Sequence, residues 1–308
     1  MPSTKCVHRP KTESYQHQEY GYKQVQRNAR SGAKWNNLNR INSLMIMKDK
    51  KEKVEEFYDK IAEEYDKQYQ TPYWTLYHEI TWHNIKQFLP KRRNSIILDA
   101  GAGTGYWAIK LAKFGYKVIL TDISEKMLNV AKNKIKKQNL EKNIEVRRVD
   151  IRDMPCFPSN YFDMALAEGD PVSYCLRPEK AIKELVRVVR PNSHVIVSVD
   201  SKYPAISRLI AEKSFNKIPK FIKTGILEYE HKFQAFSPKE IKNLFESNGL
   251  RVIKTIGKPI LVHLIPKKDR EEIIKKHFRK ILNLELKYCD NQSLIGFGGH
   301  LEIVGVKK

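Results

Sequence analysis

The stretch Ser95-Ile96-Ile97-Leu98-Asp99-Ala100-Gly101-Ala102-Gly103-Thr104-Gly105-Tyr106-Trp107 constrains the fold of this 308-residue chain more than any other. A short apolar run reads as a buried strand and ends on an acid. Three glycines at alternate positions follow, and a helical pattern then opens. Without a Cβ, glycine lets a ligand come close to backbone N–H groups at such a strand-to-helix junction. A dinucleotide fingerprint would need G-x-G-x-x-G, and Tyr106 stands where its third glycine would fall. The pattern present is D-x-G-x-G-x-G.

From there strand and helix patterns alternate through short connections. Ile96–Asp99 leads to a helix over Tyr106–Phe114, closed by Gly115. Lys117–Thr121 is a strand ending at Asp122. Ser124 is placed to cap a helix with Met127, Leu128, Ala131 and Ile135 on its inner face. Ile144–Val149 ends at Asp150, and Phe162–Ala167 is a fourth strand. Pro178 opens a helix carrying Ile182, Leu185, Val186 and Val189, stopped by Pro191, and the strand Val195–Val199 follows. Past Asp200 the pattern loosens as far as Phe233. Ser237-Pro238-Lys239-Glu240 is a capping box for a helix that ends at Asn248-Gly249. The strand Arg251–Ile256, a basic amphipathic helix over residues 266–287 and a closing strand Leu301–Val306 complete the series. Upstream, Val54, Phe57, Tyr58, Ile61, Ala62 and Tyr65 recur at helical spacing, and a second helix runs roughly from Trp74 to Phe88. Repeated β-α-β units of this length predict an α/β, doubly wound, mostly parallel sheet with helices on both faces.

Composition narrows the class. No apolar run approaches the roughly 20 residues of a membrane helix, so no membrane span is expected. Cys6, Cys156, Cys175 and Cys289 are scattered without C-x-x-C spacing, which points to a reducing, cytoplasmic setting and to no zinc site. His78 and His83 would not share a helix face, and no metal is expected. The formal charge of +22 is spread over every segment and dominated by lysine, as on a solvated surface; an anionic partner is the second reading. Residues 1–44 carry eight Lys or Arg against Glu13 and Glu19, with neither helical nor strand periodicity. Residues 1–48 therefore read as a disordered basic extension ahead of one domain over 49–308. A transit peptide is the minor alternative, and Met45 or Met47 an alternative start.

The glycine pattern resembles motif I of the class I S-adenosylmethionine-dependent methyltransferases. Phe57-Tyr58-Asp59-Lys60-Ile61-Ala62-Glu63-Glu64-Tyr65-Asp66 is similar to the Y-D-x-x-A-x-x-Y-D signature that precedes the cofactor domain in the small-molecule, type-11-like branch. The resemblance spans Phe57 to Val306. It implies a Rossmann-like, seven-stranded sheet, mostly parallel with the last strand antiparallel, with helical N-terminal and lid insertions at about 50–90, 201–233 and 257–300. It also implies S-adenosyl-L-methionine as cofactor. By position, Gly101, Gly103 and Gly105 would lie under its methionine part, with Asp99 orienting the amino group and Tyr65 capping the site. Asp122 would take the ribose hydroxyls, and Ile123 and Met127 would flank the adenine. Asp150 and Ile151 would hold its amine and ring edge. Glu168 and Gly169 fall where motif IV wraps its backbone around the cofactor, although the Asn- or Asp-Pro-Pro-Tyr of base-amino methylation is absent.

The residues support this independently. In an open parallel sheet, ligands lie beyond the carboxyl ends of the strands where the strand order reverses. Asp99, Asp122 and Asp150 each finish one of the first three strands. Three carboxylates there would repel one another unless the crevice held something cationic or polar. Asp122 lies about 23 residues after Asp99, the distance at which an acid takes ribose hydroxyls in nucleotide folds. His231, His300 and Asp170 are the candidates to take a proton from an acceptor. Cys156 precedes the fourth strand and reads as structural or incidental. Aromatic residues in the insertions predict a roofed pocket for a small-molecule methyl acceptor using an O, N or C nucleophile. The alternatives are an RNA or tRNA methyltransferase using the basic surface, and a non-catalytic partner protein that keeps the fold.

Overall fold

Ile96-Ile97-Leu98 has no polar face, so the strand it forms must be covered on both sides. In the computed structural model, which describes residues 54–229 and 231–308, that strand is β1 (Ile96–Ala100), in the middle of a sheet. The extension expected over residues 1–48 lies outside the described residues. The further strands are β2 (Lys117–Asp122), β3 (Ile144–Arg148), β4 (Phe162–Ala167), β5 (Val189–Asp200), β6 (Ile226–Glu228), β7 (Lys232–Gln234), β8 (Leu250–Lys258) and β9 (His300–Lys307). Seven of them make one sheet in the order β3-β2-β1-β4-β5-β9-β8, and β6 and β7 form a separate hairpin. The first five strands pair in parallel, whereas β9 runs antiparallel to both β5 and β8. The chain order reverses between β1 and β4, which opens the crevice there.

The helices are α1 (residues 54–61), α2 (Pro72–Ile85), α3 (Tyr106–Lys113), α4 (Glu125–Lys137), α5 (Pro171–Tyr174), α6 (Pro178–Val188), α7 (Lys202–Ala211), α8 (Ile218–Thr224), α9 (Pro238–Ser247) and α10 (Lys267–Tyr288). Alternation along the strands splits the core in two. Leu98, Ala100, Ala165 and Val197 face α6 and α9 through Ile182, Leu185, Ile241 and Phe245. Ile97, Leu120, Leu166 and Ile196 face α3 and α4 through Leu111, Leu128 and Ala131. The predicted caps form: Ser124 Oγ accepts the Met127 N–H at 3.1 Å, and Ser237 and Glu240 make a reciprocal capping box. No helix among the described residues is long and apolar enough to cross a membrane.

Three stretches differ from the sequence reading. The first helix stops at residue 61, and Tyr65–Gln70 is a separate 3-10 turn, because tertiary bonds from Asp66 outweigh the helical periodicity. Val189 begins β5 rather than ending α6. The loose region after Asp200 is ordered: α7, α8 and the β6–β7 hairpin close over a small core of Leu209, Phe221, Leu227 and Ala235.

Candidate active site

The first half of the site lies at the ends of β1 and β2. Asp99 is fully buried, and neither carboxylate oxygen accepts a hydrogen bond of normal geometry. Burial pushes its pKa up to about 7; the Ala108 N–H opposes the shift and the charge of Asp122 adds to it. Beyond it the glycine loop turns in left-handed backbone, with φ of 69° at Gly101, 54° at Gly103 and 81° at Gly105. A Cβ on Gly101 would stand 2.4 Å from the Pro171 Cβ, so this glycine lets the β4 side of the crevice close against the loop. A Cβ on Gly103 would meet only the Tyr65 ring, at 3.9 Å. The loop floor at Gly103 is therefore bare backbone with a tyrosine set over it. Asp122 accepts the Gly103 N–H at 2.8 Å and the Ser124 N–H at 2.9 Å. Burial raises its pKa, and those N–H groups oppose the rise.

The N-terminal segment is stapled onto this end of the sheet by Asp59 and Asp66. Asp59 accepts from Ser124 Oγ at 2.5 Å, and Asp66 accepts from Thr104 Oγ1 and Lys134 Nζ, each at 2.6 Å. The tyrosines beside those acids turn inward and begin a run of rings in contact. Centroid distances are 6.1 Å for Tyr58–Tyr65, 5.2 Å for Tyr65–Tyr69, 5.4 Å for Tyr69–Trp74 and 5.1 Å for Trp74–Tyr77. Burial keeps the phenols protonated, pushing Tyr65 up to about 12.

The second half lies at the ends of β4, β5 and β9. Ser198 Oγ accepts the N–H groups of both Gly169 and Asp170 at 3.0 Å, which fixes Asp170 in left-handed backbone with φ 65°. Asp200 ends β5, its N–H bonded to Ser173 Oγ at 2.9 Å, and it pairs in register with His300 at the start of β9. His300 Nδ1 lies 2.7 Å from Asp170 Oδ2. One ligand atom from each of Asp170, Asp200 and His300 lies within 4.8 Å of the others, so the trio could share a proton or hold a metal ion. Burial disfavours charge on His300, but the carboxylates of Asp170 and then Asp200 outweigh it and hold the imidazole above its ordinary pKa. Burial would raise Asp170, yet His300 keeps it below the usual carboxylate value. Asp200 is pushed up to about 7 by burial and then by Asp170. Tyr77 and Trp74 end their run of rings against His300, at 5.0 and 5.9 Å.

The other predicted positions fall in different surroundings. His231 stands against Phe57 at 4.5 Å, Tyr174 at 5.1 Å and Tyr58 at 5.9 Å, at the opposite end of the ring run from His300. Ile123 is half-buried beside Asp122, and Met127 is wholly buried beneath the first turn of α4. Ile151 is buried, and the Asp150 carboxylate grips Arg152 through Nε at 2.9 Å and Nη2 at 2.8 Å. Glu168 turns into the interior, where Lys258 Nζ lies 2.6 Å from its Oε2; only its backbone is left to a ligand. Lys258 also pairs with Glu302, to which Asn84 donates. Burial, then the charge of Glu302, raises Glu168 well above the usual carboxylate range.

A bare glycine floor, a buried carboxylate with no bonded donor and a second acid at the end of β2 suit a ligand that brings a cation and hydroxyls. Residues 97–192 match the family model described as a methyltransferase domain. Residues 97–192 are thus identified as a methyltransferase domain of the class I, S-adenosylmethionine-dependent kind. It is 35% identical over 133 residues to the ubiquinone/menaquinone biosynthesis C-methyltransferase UbiE of Vibrio cholerae, covering 40% of this chain and 49% of that one. The corresponding protein of Francisella tularensis is 34% identical over 137 residues, 42% of this chain and 52% of that one. The chain thus spans about half the length of the curated relatives it matches. In fold it is similar to a SAM-dependent methyltransferase of Methanosarcina mazei, with TM-score 0.53, 18% identity and coverage of 73% of this chain and 96% of that one. It is similar, too, to the partner of the Trm112 methyltransferase activator in a Haloferax volcanii complex, with TM-score 0.54, 18% identity and coverage of 81% and 96%.

Asp200, Asp59 and Asp66 are the residues that sequence reasoning left without a role. Asp200 had a signal, since it is another acid at a strand end, like Asp99 and Asp122. The other two sit inside a signature whose tyrosines drew the attention.

Proposed function

We propose that this chain transfers a methyl group from S-adenosylmethionine to a small organic acceptor, with His300 as the general base and Asp170 as the residue that positions it. The observation carrying this reading is the Asp170–His300 pair with Asp200, set at the end of a largely half-buried run of aromatic rings that begins over the glycine loop. Bound at that loop, the cofactor supplies a methyl group already activated by a sulfonium, so most of the acceleration comes from holding the acceptor in line. Asp99, Asp122, the three glycines and Tyr65 would hold it, with Ile123, Met127, Asp150, Ile151 and the Glu168–Gly169 backbone around the nucleoside.

The chain's own residues do the rest. Asp170 accepts the Nδ1 proton of His300, which leaves Nε2 as the acceptor for a proton from the substrate. A base acts when deprotonated, so activity should rise with pH through the elevated pKa of His300. The aromatic rings keep water from the reacting atoms and tolerate positive charge on their faces. The described parts of the segments at about 54–90, 201–233 and 257–300 would close the acceptor side, with His231 among Phe57, Tyr58 and Tyr174 at its far end. The Vibrio relative is named for carbon methylation in ubiquinone/menaquinone biosynthesis, a reaction of this class.

Incubation with methyl-labelled cofactor and cell extract, fractionated into metabolites, RNA and protein, tests the reading. Label is expected in the metabolite fraction and lost with His300→Ala. Label in RNA alone would replace the small-molecule reading with the nucleic-acid one.

A further inference from the structure

Eleven large hydrophobic side chains are left exposed among the described residues, and six of them fall within one short region: Tyr203, Ile210, Phe215, Ile222, Ile226 and Tyr229. That region is the small unit of α7, α8 and the β6–β7 hairpin, which keeps its own core of Leu209, Phe221, Leu227 and Ala235. Its apolar surplus is therefore not a failure to build a core. The 3-10 turn Phe215–Lys217 runs directly into α8. Along it Phe215, Pro219 and Ile222 follow the i, i+4, i+7 spacing that puts residues on one helical face. Phe221, on a different face, is buried, while Phe215 is 60% and Ile222 53% exposed. The helix is thus apolar on two sides. Lys213, Lys217, Lys220 and Lys223, all exposed, are interleaved with the outer stripe.

We propose that this outer face docks onto an anionic lipid bilayer, with Phe215, Ile222 and Ile226 entering the headgroup boundary and the lysines meeting the phosphates. An interfacial helix has this composition: an apolar stripe flanked by lysine, gaining from buried area and from attraction to acidic lipid. A second copy of the chain is the poorer occupant, because a two-fold contact would bring like lysine clusters together. RNA would satisfy the lysines and leave the stripe in water. The docked unit also reaches the acceptor wall, since Phe233 on β7 lies 6.3 Å from Tyr174.

Co-sedimentation of the full chain with phosphatidylcholine vesicles containing about one-third phosphatidylglycerol, against vesicles of phosphatidylcholine alone, tests this. Binding to the acidic vesicles is expected, at least tenfold weaker for Phe215→Asp/Ile222→Asp and for Lys220→Glu/Lys223→Glu. Both variants change exposed side chains, and unchanged melting temperature and cofactor binding would confirm that they fold. Wild-type affinity in the Asp variant would overturn the proposal, placing any attraction in the general positive charge. A dimer in sedimentation equilibrium that the same variant dissolves would overturn it in favour of self-association. Loss of tRNA binding without loss of vesicle binding would overturn it in favour of RNA.

Discussion

The two halves of the crevice are built in opposite ways. The side at β1 and β2 draws its glycines and acids from one run, Asp99 to Asp122, and leaves buried polarity open: Asp99 is enclosed without a bonded donor. The side at β4, β5 and β9 joins residues 130 positions apart and pairs its charges internally, as Asp170 with His300 and as Lys258 with Glu168 and Glu302, leaving only single oxygens such as Glu168 Oε1 and Asp170 Oδ1 without a bond. An unpaired buried carboxylate invites a cationic ligand, whereas a paired one holds a neighbouring group in place. On the proposed function, the first half is a receptor, and the second is a brace with a base mounted on it.

Substitutions can break that comparison. The largest effect is expected from His300→Ala, which should lower the methyl-transfer rate by about 10²–10⁴-fold while the cofactor Kd, read by isothermal titration, stays within about twofold. Equal losses in both would show the halves to be one unit. Lys258→Met should cost about 3–5 kcal/mol in chemical denaturation, because it strands Glu302 in the interior without its counter-charge. Asp122→Ala should weaken cofactor binding at least about tenfold, near 1.4 kcal/mol, and leave the buried brace intact.

Smaller effects sharpen the contrast. The folded pKa of His300 lies above its unfolded value. Its contribution to stability is therefore complete below about pH 6.5 and disappears as pH rises through the folded pKa. Denaturation of wild type and His300→Gln across pH 5 to 9 should show the difference shrinking toward the alkaline end, over the same range in which the wild-type rate climbs. Chelation with EDTA should leave that rate unchanged, since a proton-transferring pair needs no ion. A rate restored only by a divalent metal would reassign Asp170, Asp200 and His300 as ligands.

How far the sequence could be read follows the same division. The strand, the acid, the glycines and the Ser124 cap interact with near neighbours in the chain, so linear spacing pointed to the parallel sheet and to the residues gathered at the ends of β1 and β2. Asp150 looked like a third open acid because its strand ends as the others do, yet Arg152, two positions on, turns back onto it. Glu168 followed the motif by position, but a lysine 90 residues away draws its side chain inward. His300 and Asp170 were both candidates, and only the pairing of β9 with β5 brings them within hydrogen-bonding distance. Asp200 escaped notice because the chain pattern dissolves just beyond it, where α7 and α8 answer to their own small core rather than to the sheet.

The direction of β9 has a consequence for how the protein comes into being. Because this strand opposes its neighbours, its first residue, not its last, arrives at the ligand edge. In a growing polypeptide the glycine loop and Asp122 emerge long before His300. Proteolytic loss of this one strand would remove His300 and, with Leu301, Ile303 and Val304, the piece of the sheet that joins β5 to β8.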